Sequence, residues 1–269
     1  MNVGVWLPAW TLLVRELTHF VRQRHRILGT IGTPLVFWVL IGSGLSGSFR
    51  PASMGSGAAV HGMTYLEYFF PGTLVLILLF TAVFSTISII EDRRAGFLQA
   101  VLVAPVPRSA VVLGKVLGGT AVAVLQGIIV LALAPFVGIH LTVGGAALAL
   151  LVVLITSFQL TSLGFLIAWR METTTGFHAI MNLFLIPLWL LSGALFPASG
   201  AAPWLKAVMA ANPLAYAMGA LRAALYPAES LASLGVAPFA MSMAITVVAT
   251  ALLFGAGVVM ARRGSWAHA

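Results

Sequence analysis

Residues 91–115, EDRRAGFLQAVLVAPVPRSAVVLGK, form a polar connector between two long apolar runs. Charged side chains cost several kcal/mol each at the middle of a bilayer, so this connector belongs at a water-facing side. Pro105 and Pro107 would end a helix there, because proline removes a backbone donor and fixes φ. Ser109 is then the expected N-cap of the helix that follows. Helical spacing predicts an apolar stripe on that short helix, made of Phe97, Leu98, Val101 and Leu102. The stretch therefore predicts a stiff helix parallel to the membrane, which either rests on lipid head groups or docks a cytoplasmic partner.

The composition predicts an integral membrane protein. Of 269 residues, 61% are hydrophobic and only 7% are charged, whereas soluble domains carry about 25% charged residues. The formal net charge of +8 comes from few and scattered side chains, so we interpret it as a topology signal and expect no nucleic-acid partner. The sequence holds no cysteine, which excludes a disulfide framework, a thiol nucleophile and a cysteine-based metal site.

Residues 5–26 predict an amphipathic helix. An apolar stripe recurs at helical spacing through Trp10, Leu13, Val14, Leu17, Phe20 and Val21. Charged and polar residues fall largely on other faces: Arg15, Glu16, His19, Arg22 and Gln23. An apolar run follows at once, so we expect an interfacial helix on the membrane surface; the alternative is a soluble helix packed on a partner.

Charge-free windows predict an all-α polytopic membrane protein forming a single domain over residues 1–269, with six transmembrane helices. The windows are 27–49, 68–90, 116–137, 145–169, 173–196 and 236–261. Pro and Gly residues from 135 to 145 predict a tight turn between the third and fourth, and Pro187 a bend in the fifth. Between the fifth and sixth, residues 197–235 predict two re-entrant half-helices, each too short to span.

Basic residues set the expected orientation. With the N-terminus inside, most Arg and Lys side chains are cytoplasmic, and only Arg50, Lys206 and Arg222 lie outside. Both termini and the 91–115 connector are then cytoplasmic.

The expected spans carry no ionisable side chain in their interiors, which disfavours an ion-coupled transporter. The sequence has no phosphate-binding G-x-x-x-x-G-K-[ST] loop and no catalytic or metal-ligand constellation. Candidate pathway-lining residues, which equally serve helix–helix hydrogen bonding, are Gln126, Ser157, Gln159 and Asn182. Gly114 and Gly118 form a small-xxx-small pair that would allow close helix approach.

Two regions resemble the permeases of ABC-2 type transporters. The first runs through Glu91, Arg93, Arg94, Gly96, Leu98, then Ala104-Pro105-Val106-Pro107-Arg108 and Gly114-Lys115. The second comprises Leu191-Ser192-Gly193, Phe196-Pro197, Asn212-Pro213-Leu214 and Leu221-Arg222. They follow in the family's order, and with the N-terminal helix the resemblance covers nearly the whole chain.

The resemblance implies that residues 91–108 are a coupling helix that sits on a separate ATP-binding subunit. Its implied contact residues are Glu91, Arg93, Arg94, Gly96, Phe97, Leu98, Leu102, Pro105 and Arg108. Two permease copies, identical or closely related, would work with two ATP-binding subunits that hold ATP and Mg²⁺, while this chain binds no cofactor and is no enzyme.

The implied location is the bacterial inner membrane, among membrane lipids, and the implied activity is export of an amphipathic drug, lipid or lipid-linked glycan. The alternatives are a membrane scaffold or assembly factor without transport and, disfavoured by the missing catalytic residues, an enzyme acting on lipids.

Overall fold

The computed structural model describes residues 4–22, 64–198, 201–227 and 237–263, with single residues and pairs at 32, 35–36, 38–40, 43–44 and 231. Its helices are α1 Trp6–Arg22, α2 Tyr65–Ser85, α3 Ile87–Arg94, α4 Phe97–Val103, α5 Arg108–Leu131, α6 Val143–Ala168, α7 Thr174–Leu190, α8 Pro203–Ala211, α9 Pro213–Leu225 and α10 Phe239–Arg263. A short 3₁₀ turn, Ala134–Val137, follows α5. Every regular element in these described ranges is helical, so the predicted all-α class is confirmed.

Four helical stretches in the described part of the chain are long and apolar enough to cross a membrane. They are the continuous α2–α3 unit Tyr65–Arg94, then α5, α6 and α10. The first predicted span, 27–49, lies largely outside the described residues. The predicted fifth span, 173–196, corresponds to the 17-residue helix α7. The complete six-span layout therefore stays a prediction.

The α2–α3 unit is the most enclosed helix of the described fold. Thr64 opens it with a capping box: the Thr64 hydroxyl accepts from the Glu67 amide, and the Glu67 carboxylate accepts from the Thr64 amide. The unit has 30 residues and rises about 45 Å at 1.5 Å per residue, whereas the hydrocarbon core is about 30 Å thick. Its far end, with Glu91 and Asp92, is thus long enough to stand outside the hydrocarbon.

Helices α5 and α6 form the predicted hairpin. The chain turns through Ala134–Val137 and Gly138, whose φ of 90° is the left-handed conformation that glycine adopts readily. Helix α5 begins at Arg108, directly after extended Pro107, so the expectation that Ser109 caps it is wrong. A proline directly before a helix already has a fixed φ, and it has no backbone N–H group that needs a hydrogen-bond acceptor. Lys115 consequently lies inside α5 and not in a loop.

Helix α1 packs lengthwise on α5. At Gly114, a Cβ atom would lie 2.8 Å from Leu12 Cβ and 2.9 Å from Ala9 O; at Gly118 it would lie 2.6 Å from Glu16 Cβ. These separations are below van der Waals contact, so only glycine permits this approach of the two helices. The small-xxx-small prediction for Gly114 and Gly118 is confirmed, with α1 as the helix that approaches.

The packed face of α1 differs from its predicted apolar stripe. Trp10 is 62% and Val14 42% exposed. The buried face runs instead through Ala9, Leu12, Glu16 and Phe20, so the expectation that Glu16 falls on an outer face is wrong. The exposed Trp and Val side chains remain available to lipid, and the interfacial position of α1 stays a prediction.

Helices α7, α8 and α9 make up the segment after the hairpin. Helix α7 ends at Leu190, three residues beyond Pro187, and a turn containing Gly193 at φ 83° follows. The next two helices have 9 and 13 residues, each too short to span. Helix α9 lies buried against α6 and α10. Two short helices were predicted here, while their re-entrant placement in a bilayer stays a prediction.

The close contact of α1 with α5 at Gly114 and Gly118, which we call the α1–α5 seam, can be tested by substitution. Gly118→Ala should destabilise the protein by about 1–3 kcal/mol, because the new methyl group overpacks Glu16. Gly255→Ala on α10 is the matched control, since a Cβ there meets nothing within 4 Å. Thermal unfolding in detergent measures both. Equal midpoints for the two variants would contradict the tight seam.

Candidate functional site

The polar connector consists of a helix end, a glycine reversal, a short helix and an extended exit. Helix α3 ends at Arg94, and Gly96 follows at φ 75°, which reverses the chain direction. The seven-residue helix α4 comes next. It ends at Val103. Ala104 is extended because a residue before proline avoids helical ψ, and Pro107 is extended directly before α5. The predicted single coupling helix over 91–108 is therefore two helical pieces joined at an angle.

The apolar stripe of α4 faces the protein's own core. Leu98 is only 3% exposed, and Phe97, Val101 and Leu102 pack partly buried against the core. The prediction that Phe97, Leu98 and Leu102 form a free apolar edge is thus wrong for Leu98 in particular. Helical spacing identifies a stripe, but only the packing of the neighbouring helices decides whether that stripe is covered.

The opposite side of α4 is open. Val103 is 87% exposed. We call this surface the outer face of α4, and its exposed residues are Gln99, Ala100, Val103 and Pro105.

The connector's arginines bind carbonyl groups at helix ends. Arg93 donates from Nη1 to Met171 O at 2.6 Å and from Nη2 to Trp169 O at 2.8 Å, and Arg94 Nε donates to Glu172 O at 3.2 Å. Carbonyls in the last turn of a helix lack intrahelical donors, so these contacts cap the end of α6.

Arg108 plays the same part for α10, donating to Ala261 O at 3.1 Å and Arg262 O at 3.0 Å. Arginines at such C-terminal ends also complement the helix dipole. The side chains implied as partner contacts therefore hold the connector to α6 and α10, while Glu91 is exposed.

Next to the connector lies a buried ion cluster that sequence reasoning missed. Lys115 Nζ donates to Glu16 Oε1 at 2.5 Å, to Ser88 Oγ at 3.2 Å and to Asp92 Oδ2. Arg15 donates to both oxygens of Asp92, at 2.9 and 2.5 Å. We call Arg15, Glu16, Asp92 and Lys115 the ion quartet. Its three buried members are 5–7% exposed.

The ion quartet joins three helices and contacts a fourth. Glu16 and Arg15 belong to α1, Asp92 to α3 and Lys115 to α5. The Arg15 guanidinium also lies 4.1 Å from the centre of the Phe97 ring on α4, a cation–π contact. All three ammonium protons of Lys115 have acceptors, as a buried lysine requires. The quartet and this ring contact therefore link α4 to α1, α3 and α5.

The sequence pattern does contain one indication of the ion quartet. Glu16 stands four residues from both Leu12 and Phe20, on a face that starts at Ala9, which is the spacing of a packed helical face. A carboxylate on such a face needs a buried cation, and Lys115 beside Gly114 on the facing helix supplies it.

The candidate pathway residues do not share one surface. Gln126, Ser157 and Gln159 are 0–2% exposed within the packing of this chain, where Gln126 accepts a hydrogen bond from Thr81. The Ser157 hydroxyl and the Gln159 amide oxygen have no hydrogen-bond partner among the residues that the structure describes. Asn182, in contrast, lies on an exposed side of α7.

The second region that resembles ABC-2 type permeases lies at the end of the molecule opposite α4. Asn212 caps α9 through a bond from Leu214 N at 2.9 Å, and its amide donates to Leu188 O at 2.7 Å. Arg222 Nη2 donates to Gly193 O at 2.8 Å. This region therefore ties the end of α7 and its following turn to α9.

Comparison with known proteins shows that this chain is similar to a family of membrane transporters. The sequence pattern of the ABC-2 type transporter family matches residues 9–226. A transport permease named ycf38 from Cyanophora paradoxa is 27% identical over 222 residues, covering 78% of this chain and 72% of its own. The inner membrane transport permease YadH of Escherichia coli K12 is 23% identical over 220 residues, covering 81% and 82%. The ycf38 permease of Porphyra purpurea is 25% identical, covering 78% and 71%.

The ion quartet leads to a stability prediction. Lys115→Met should cost about 3–5 kcal/mol, because two carboxylates remain buried with one partly exposed cation. Arg263→Met, at an exposed position on α10, should be near neutral. Adding Asp92→Asn to Lys115→Met should cost less than the sum of the two single changes, as chemical unfolding in detergent measures. Simple additivity would show that the two side chains are not coupled.

Proposed function

The chain belongs to the ABC-2 type transporter family, and on that premise we propose that it is the membrane-spanning permease subunit of an ATP-driven exporter. Transport permeases are also what its relatives are named. The proposal also specifies an ATP-binding partner, a second permease copy, the orientation in the membrane and the class of cargo.

The observation that carries the proposal is the outer face of α4. This face is solvent-exposed, while the buried side of α4, the ion quartet and the arginine caps connect it to α1, α3, α5, α6 and α10. A short helix with one open side and one anchored side can pass the movement of a docked partner into the bundle. The proposed partner is a separate ABC ATP-binding subunit that supplies ATP and Mg²⁺ binding.

A second permease copy is proposed to complete the pathway. Helix α7 exposes Leu183 at 74% and Phe184 at 64%, on the side that also carries Asn182. Helix α10 is buried in this chain at only a few positions: Ser242, Thr246, Gly257 and Ala261. Two copies with two ATP-binding subunits give the proposed complex, whether the copies are identical or close paralogues.

The cargo is proposed to be amphipathic and to move outward. The buried polar groups in the middle of α5 and α6 are neutral amides and hydroxyls in apolar surroundings, such as Gln126 and Gln159. Such an interior suits a lipid, a lipid-linked glycan or an amphipathic drug better than a bare ion, whose desolvation needs charged or carbonyl ligands.

The proposed orientation places the connector and both termini in the cytoplasm, and it can be tested because the chain lacks cysteine. A single cysteine replacing exposed His140, in the α5–α6 turn, should react with a membrane-impermeant maleimide on intact cells. One replacing exposed Gln99 should react only after permeabilisation. Labelling of the Gln99 position on intact cells would reverse the orientation.

Coupling is tested at the most exposed residue of α4. Val103→Asp should abolish co-purification of an ABC ATP-binding subunit and its ATPase activity, because a charge enters the proposed docking face. Burying a valine there is worth up to about 1.5–3 kcal/mol. Affinity capture of the chain from its native membranes, followed by ATPase assay in nanodiscs, measures both.

Val143→Asp is the matched control, since Val143 is 90% exposed and begins α6 at the other end of the bundle. The control should behave as the unchanged protein. If no ATP-binding subunit is captured with the unchanged chain, or if Val103→Asp captures it normally, the coupling role of α4 is wrong. Capture without stimulated ATP hydrolysis would favour a scaffold over a transporter.

A further inference from the structure

A cavity of about 240 Å³ lies at the end of the bundle opposite α4. It is enclosed by the turn after α7, by α8 and α9, and by the start of α10. The residues that give it its chemistry are Ser192, Gly193, Lys206, Tyr216, Arg222 and Ser242. Among all described residues that line it, none is acidic.

Arg222 is a buried cation in the wall of this cavity. It is 3% exposed. Its guanidinium donates to Gly193 O and lies 4.3 Å from the centre of the Tyr68 ring. Within the described part of the chain, its Nε has no hydrogen-bond partner, and no Asp or Glu forms an ion pair with it.

No acidic side chain of the described residues compensates this positive charge. Moving a guanidinium out of water costs several kcal/mol, which one carbonyl and one aromatic face offset only in part. Lys206, exposed on α8, adds a second cation to the lining. Of the described residues that line the cavity, two are cations and none is an acid, so this part of the lining is electropositive. A guanidinium presents several donors in a fixed fork that matches a phosphate group.

The size of the cavity limits what enters it. Drug-sized ligands occupy about 300–1,000 Å³, and a water molecule takes about 30 Å³, so 240 Å³ suits a polar head group and not a whole amphiphile. An apolar track leads away from it on α10. Met241 lines the cavity and is 52% exposed, and Val248 and Leu252 follow on the same side, 58% and 69% exposed.

We infer that this cavity binds the phosphate head group of an amphiphile, with Arg222 and Lys206 as its cations and the apolar chain along Met241, Val248 and Leu252. The shared chemistry is phosphate, so free inorganic phosphate is the other source. The inference concerns binding by the permease alone, and it neither needs nor tests transport or an ATP-binding partner.

The test is titration calorimetry on the purified chain in maltoside micelles, which contain no phosphate. The probes are dioctanoyl phosphatidic acid, inorganic phosphate and uncharged dioctanoylglycerol. Phosphatidic acid should bind and dioctanoylglycerol should not. Arg222→Lys should weaken binding at least about tenfold, because the fork is lost while the charge is kept. Lys206→Gln should weaken it by about two- to fivefold, as expected for an exposed charge.

Two further variants keep the test decisive if Arg222→Lys does not fold. Ala215→Phe fills the cavity from half-buried Ala215 in its lining and should abolish binding. Arg263→Gln removes an exposed cation from the opposite end of α10 and should change nothing. Inorganic phosphate binding as tightly as phosphatidic acid supports the site and assigns it to the free anion. Equal binding of dioctanoylglycerol, or unchanged affinity in Ala215→Phe, overturns the inference.

Discussion

The pairing of Lys115 with Asp92 holds together the end of the molecule that carries the connector. A buried ion pair is a weak source of net stability, because the desolvation of both charges offsets their attraction. Here the ion pair fixes the positions of α3 and α5 relative to each other. Asp92 is placed by the last turn of the α2–α3 unit and Lys115 by the second turn of α5, and Glu16 then sets the register of α1 along its glycine seam. Slipping α1 by one residue would remove Glu16 from Lys115.

The long apolar elements could be predicted because their signal is local. Charge-free windows mark the α2–α3 unit, α5, α6 and α10, since length and composition alone decide whether a helix can cross a bilayer. The same windows misplaced the helix ends. Helix α5 begins directly after Pro107, earlier than the charged residues of the connector suggest, and α7 ends at Leu190, before the apolar run stops. Ends depend on capping and on turns, which composition does not record.

The site was predicted in outline and missed in detail. Sequence located the connector and its proline exit, which depends on the conformations of single residues. It could not tell that Leu98 faces the core, or that Arg93 and Arg108 bind the carbonyl ends of α6 and α10. Both arginine contacts join residues that are more than 70 positions apart in the chain. The charges had been interpreted as topology signals, whereas several of them are structural.

The composition of the ion quartet has an electrical consequence. An elementary charge that crosses the membrane potential exchanges about 2.3 kcal/mol per 100 mV with it. The quartet holds two cations and two anions close together, so its displacement with α1, α3 and α5 moves almost no net charge of its own. The membrane potential therefore neither drives nor opposes the displacement of these four side chains.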